Sequence, residues 1–177
     1  MALQPKSIGT PTKSFFMAQI ILRFLAAAFT LAAIFVLVTA KQSVVVFGIV
    51  LQARYDYTAA FRFVLGADAV VCGFSLLSIV FVCILSRSEL HVKTHFLLYL
   101  HDLFMMLVMI SGCAAGTAVG YVSKYGEDKM GWFRLCDKVT KFCNQVTISM
   151  VLSYLAFFCY LAMTIMSPRK FMYQVTE

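Results

Sequence analysis

The 177-residue chain is 62% hydrophobic, 15% aromatic and only 13% charged, with a mean hydropathy of +0.87, against about 45–50% apolar and about 25% charged residues in an ordinary globular chain. So few charges cannot clothe a water-facing surface, which excludes a soluble enzyme domain. The net charge of +7 is spread along the chain, which points to anionic lipid or polymer and away from nucleic acid.

A bilayer core of about 30 Å takes about 20 apolar residues per helical crossing. Uncharged runs at 24–40, 69–86, 103–123 and 142–168 therefore leave room for four crossings. No polar stretch is long enough for an additional folded domain. The predicted architecture is an all-α membrane protein, a four-transmembrane-helix bundle forming one domain over 1–177. Its helices are expected near 16–38, 60–85, 96–122 and 144–166, with outer loops 39–59 and 123–143.

In chain order, segment 1–14 is polar and holds Pro5 and Pro11. The run after it is too long for a signal-peptide core and lacks a small-residue cleavage site, so helix 1 is expected to stay as a span. In the first outer loop, 43–52 is a β-branched run too short to cross as a helix. It reads either as a strand or as an extension of helix 1, and a strand would need an edge from the second outer loop or from another chain. The 86–95 loop is polar, and 168–177 is too short to fold alone.

The second outer loop has Gly126 and Gly131 as breakers and Trp132–Phe133 as interfacial aromatics. Its Cys136 and Cys143 are most readily explained by a disulfide, which places this loop in an oxidising compartment and the termini in the cytoplasm. Two free thiols are the alternative, since spacing alone does not fix connectivity. The charge tally does not settle orientation: six Lys or Arg lie on the side of the termini and eight in the two outer loops.

Charged residues inside spans are costly and usually face the bundle interior in pairs. Arg23 in helix 1 and Asp102 in helix 3 are expected at similar depth, on the order of 10 Å from the same membrane face. The reading is a structural ion pair that clamps helices together, with a proton or ion relay as the functional alternative. Asp68 lies in the outer third of helix 2, with the outer ends of helices 1 and 3 as expected neighbours, protonation or snorkelling to water as the alternative, and a cation site as a further reading. Gly112, Gly116 and Gly120 form a small-residue stripe on helix 3. Ala26–Ala28, Ala32 and Ala33 on helix 1 are its expected counterpart, with packing inside the chain or against a sister subunit both open.

Reactive chemistry is absent from the pattern. His91, His95 and His101 lack the acidic residue of a zinc-protease motif, and no Gly-rich phosphate loop, nucleophile elbow or paired carboxylates occur. Neither a catalytic centre nor a metal or other cofactor is expected.

Several segments together resemble the CASP-like family, the four-span plant relatives of the Casparian strip membrane domain proteins, themselves similar to the MARVEL group. The carriers are Arg23, Tyr57-Thr-Ala-Ala-Phe-Arg-Phe63, Cys72-Gly-Phe-Ser-Leu76, Asp102 with the glycine stripe, Gly131-Trp-Phe-Arg-Leu-Cys136 and Phe142-Cys143. Arg23 and Asp102 match the family's signature basic and acidic positions. The chain departs from the pattern at Asp68, where the family often has Asn, and in 39–58, which lacks the short first-loop motif of the strip proteins. The resemblance implies plasma-membrane residence, cytosolic termini, a cysteine pair in the second outer loop, and self-association with itself and related members into platforms. In the strip proteins such platforms recruit secreted cell-wall enzymes. A non-enzymatic scaffold is thus the expected function. A small transporter or channel using the intramembrane charges is the alternative, and an adaptor for another membrane protein a third.

Overall fold

The computed structural model describes residues 11–46, 49–85, 92–126, 131–132 and 134–175. These form four long helices: α1 (Pro11–Thr39), α2 (Ala59–Leu85), α3 (Val92–Tyr125) and α4 (Thr140–Val175). Two strands, β1 (Lys41–Val46) and β2 (Ile49–Arg54), lie between α1 and α2. His91, Phe133 and the first ten residues lie outside the described residues.

Helix formation follows from solvent. In hydrocarbon each unpaired backbone N–H or C=O costs several kcal/mol, so an apolar segment pairs its own backbone by coiling. Segments Met17–Thr39, Ala59–Val82, Phe96–Tyr125 and Thr140–Ser167 are each long and apolar enough to cross. Pro11 stands in the first turn of α1, where a missing N–H leaves no intrahelical bond unmade. α3 has 34 residues, or about 51 Å at 1.5 Å per residue, and so outruns the about 30 Å core. This is why the helices extend past several of the predicted ends.

Each of α1 and α3 packs against both α2 and α4, making a four-cornered bundle in which α1 faces α3, and α2 faces α4, across the diagonals. This corrects the expectation that helices 1 and 3 pack directly. Consecutive antiparallel helices take adjacent corners, which leaves the parallel pair α1 and α3 opposite one another. The buried alanines of α1 instead lie against α2 and α4: the Ala27 carbonyl is 4.0 Å from Cys72 Sγ and the Ala33 carbonyl accepts from Ser149 Oγ at 2.9 Å. Ala28 and Ala32 are exposed.

Both faces of these helices are apolar, because the outward face meets lipid tails. Phe24, Phe35, Leu77 and Leu97 are exposed, while small or flexible residues such as Ala26, Ala33, Cys113, Met105 and Met109 fill the interior. Two apolar clusters result. One, around Leu37, Phe61, Val64, Phe142 and Met150, lies at the hairpin end. The other, around Val71, Met105, Met109, Tyr160 and Met163, lies toward the termini.

The β-branched run of the first loop is a strand pair: β1 and β2 run antiparallel from Lys41↔Arg54 to Val46↔Ile49. The run therefore supplies its own edge, β1 against β2. Alternation places Ala53 in the core and leaves Val45 and Val50 exposed. Gln42 ties the hairpin down, its Oε1 accepting from the Phe142 N–H at 2.9 Å. That N–H belongs to the first turn of α4, which has no intrahelical acceptor of its own.

The second loop is closed by Gly126, whose φ of 71° ends α3 while its N–H donates to the Val122 carbonyl at 2.8 Å. A Cβ there would lie 2.8 Å from the Trp132 carbonyl oxygen. A disulfide joins Cys136 to Cys143, Cα atoms 5.7 Å apart, stapling the loop to the start of α4.

Candidate functional site along the bundle axis

Polar side chains lie where a bundle core is normally apolar. α2 directs Asp68, Ser75 and Ser78 toward the axis, all three buried. Their spacing of seven and three residues keeps them on one helical face and staggers them by about 10 Å and about 5 Å in depth.

Asp68 and Ser75 reach α4, and Ser78 reaches α1. Asp68 Oδ2 accepts from Ser153 Oγ of α4 at 2.9 Å. The Ser75 and Tyr160 hydroxyls lie 2.5 Å apart, again joining α2 to α4. Ser78 Oγ accepts from Arg23 Nη1 of α1 at 2.6 Å. Asp68 was expected to find neighbours on helices 1 and 3. Its hydrogen-bond partner instead comes from α4, because the inward face of α2 looks across the diagonal.

The lowest layer holds the charges. Arg23 Nη2 lies 2.6 Å from Asp102 Oδ2, and the two side chains are 0% and 1% exposed. The remaining carboxylate oxygen, Asp102 Oδ1, is 3.3 Å from His101 Nδ1. Arg23 Nε has no partner among the described residues. A guanidinium forked between a hydroxyl and a carboxylate is held by geometry as well as charge. The pair links α1 to α3, so both diagonals are bridged by side chains that meet at the axis.

The glycine stripe is divided in its contacts. A Cβ on Gly112 would sit 3.2 Å from Ala67 Cβ of α2, and one on Gly116 would sit 2.7 Å from Met150 Cε of α4 and 2.9 Å from Val64 Cγ2 of α2. One on Gly120 would meet nothing within 4 Å. Gly112 and Gly116 thus let α3 approach its own chain closely, and Gly120 borders open space.

Chemically, the axis is a set of side-chain hydrogen bonds and one ion pair that join helices, with Arg23 Nε left over. Asp68 contacts one hydroxyl, Ser153 Oγ. Among the described residues, no three His, Cys, Asp or Glu side chains cluster in a way that could hold a metal. Sequence reading missed Ser75, Ser78, Ser153 and Tyr160. The available signal was the shared face of Asp68, Ser75 and Ser78 on α2 and the four-residue spacing of Ser149 and Ser153 on α4.

Fold and site together define a multi-pass membrane protein of the four-helix class, with charges paired inside the bundle. Residues 12–159 match the Casparian strip membrane protein domain. The chain is 52% identical over 176 residues to CASP-like protein 1F2 of Ricinus communis, covering 96% of this chain and 88% of the relative. It is 50% identical over 170 residues to CASP-like protein 1F2 of Vitis vinifera, covering 96% and 89%. It is also 50% identical over 174 residues to CASP-like protein 1F3 of Populus trichocarpa, covering 96% and 90%. The chain belongs to the CASP-like family of Casparian strip membrane domain proteins. No solved structure matches it.

Proposed function

We propose that the chain is a non-enzymatic scaffold of the plasma membrane, with cytoplasmic termini, that self-associates with itself and related family members. It would present its basic hairpin and second loop to secreted cell-wall proteins. The observation that carries this reading is the axis itself. Arg23 and Asp102 neutralise each other with under 2% exposure, and the hydroxyls above them join α2 to α4 across the other diagonal. Such an interior suits a rigid building block, and the wide apolar exterior of Phe24, Phe35, Leu77 and Phe81 suits lateral contacts in lipid. Family membership supports the same reading. Size determination in native-like nanodiscs tests it: assemblies larger than one chain are expected, and a strictly monomeric population across lipid compositions would overturn it.

A transporter or channel is the second reading, favoured by the successive depths of Asp68, Ser75 and Ser78 on one face of α2. Ion or proton flux into liposomes that disappears in Asp68→Asn would establish it and displace the scaffold.

A further inference from the structure

At the hairpin end a cavity of about 670 Å³ opens between the end of α3, the start of α4 and the β2–α2 junction. Its volume falls within the about 300–1,000 Å³ of pockets that take small organic ligands. Its two ends differ in chemistry. Arg54 and Lys124 line the end nearest the helix termini, the mouth, while Met150 and Tyr154 line the cavity further along α4. Tyr154 is fourteen residues into α4, about 21 Å along its axis and so at hydrocarbon depth.

Among the described residues, the two charged side chains that line the cavity, Arg54 and Lys124, are both basic. Arg54 does share its charge with Asp56, which lies 3.4 Å away outside the lining, and both are about two-fifths exposed. The Lys124 ammonium rests 5.6 Å from the centre of the Tyr125 ring, and no salt bridge among the described residues includes it. Deeper in, the Thr117 and Tyr154 hydroxyls satisfy each other at 3.0 Å. The inner wall therefore offers an apolar ligand few unmet polar groups. Gly120 adds room, since a Cβ there would meet nothing within 4 Å.

We infer that this cavity is a lipid site, which takes one acyl chain of an anionic glycerophospholipid along α3 and α4 and holds the phosphate between Arg54 and Lys124. The occupant follows from the pairing of a basic mouth with an apolar slot at bilayer depth. A free anion would gain nothing from the slot, and a neutral lipid would gain nothing from the mouth. The inference is independent of the scaffold reading.

The test uses the full chain reconstituted in nanodiscs of equal phosphatidylcholine and phosphatidylglycerol, then released into mild detergent for native mass spectrometry of the retained lipid. Wild-type chain is expected to keep phosphatidylglycerol in preference to phosphatidylcholine. Arg54→Gln with Lys124→Gln lowers that preference by about fivefold per charge. Gly120→Leu fills the slot and loses both lipids, while inorganic phosphate added in excess leaves the wild-type adduct in place. Equal retention of the two lipids by wild-type chain, or unchanged retention by a folded Gly120→Leu, overturns the site. Folding is checked by circular dichroism and monodisperse elution. Should Gly120→Leu not fold, the double charge variant decides by its preference alone, and an unchanged preference sinks the proposal.

Discussion

Arg23 and Asp102 meet at 2.6 Å although the helices that carry them stand at opposite corners of the bundle. A second diagonal is crossed by Asp68 and Ser153, 2.9 Å apart. Helices at opposite corners touch only through side chains that reach the axis. These contacts therefore tie all four helices together in one register, which pairwise packing of adjacent helices would leave less constrained.

Losing one member of the ion pair leaves the other buried without compensation, which costs about 3–5 kcal/mol in buried pairs. Arg23→Ala is expected to lower yield and thermal stability in detergent, read by elution after a heating series. Arg23→Lys should be milder, retaining the charge but losing the fork that serves Ser78 and Asp102 together. Arg23→Met combined with Asp102→Leu should recover much of the loss, since paired apolar replacement is often neutral. Full stability of Arg23→Ala alone would contradict the clamp.

The Asp68–Ser153 contact is a test of the other diagonal. Ser153→Ala removes one interhelical hydrogen bond and is expected to cost about 0.6–1.7 kcal/mol, the span from average to maximum in a membrane bundle. Asp68→Asn keeps an acceptor oxygen and should cost less than Asp68→Ala. Unfolding in a graded detergent mixture ranks the three variants. An Asp68→Asn chain less stable than Asp68→Ala would show that the carboxylate does something beyond accepting from Ser153.

Gly116 and Gly120 are one helical turn apart and predict opposite behaviour. At Gly116 even a Cβ would press on Met150 and Val64 at under 3 Å. Overpacking by a larger side chain typically costs about 1–3 kcal/mol, so Gly116→Leu is expected to lower the melting temperature. Gly120→Ala should leave it unchanged or raise it, because alanine favours helix by about 1 kcal/mol over glycine. Parallel melting curves decide, and equal losses at both positions would remove the distinction.

The Cys136–Cys143 disulfide spans a sequence separation of seven. Closing so short a loop stabilises by about 2–3 kcal/mol in the chain-entropy account. Paired Cys→Ser replacement should lower thermal stability without preventing insertion of the helices. Maleimide labelling of denatured chain should show two more reactive thiols after reduction than before. An equal number in both conditions would mean the bond is not formed in the membrane.

Much of the fold was legible in the sequence because a bilayer has a fixed thickness. Counting uncharged residues located the four crossings, and counting from their ends set Arg23 and Asp102 at similar depth. Residues 43–52 were legible only as far as β-branching carried them. Their strand character was readable, but the partner was sought elsewhere, although Gly48 near the middle is a residue type that hairpin turns use. Ser78 and Ser153 were passed over because a lone serine or threonine hydroxyl in a span can bond its own helix, as Thr30 does to the Ala26 carbonyl at 3.0 Å.

By itself, then, the sequence determined the lipid solvent, the number of crossings, the depth of each charge and the two cysteines of one loop. All of these are distances along the chain. The tertiary structure alone decided which helices stand at opposite corners, that Asp68 finds Ser153, that Gly116 is enclosed while Gly120 is open, and that the first loop pairs with itself. The physical reason is that lipid rewards apolar residues on every face of a helix. The polar-outside signal that normally tells a helix which way to turn is erased, and only packing restores it.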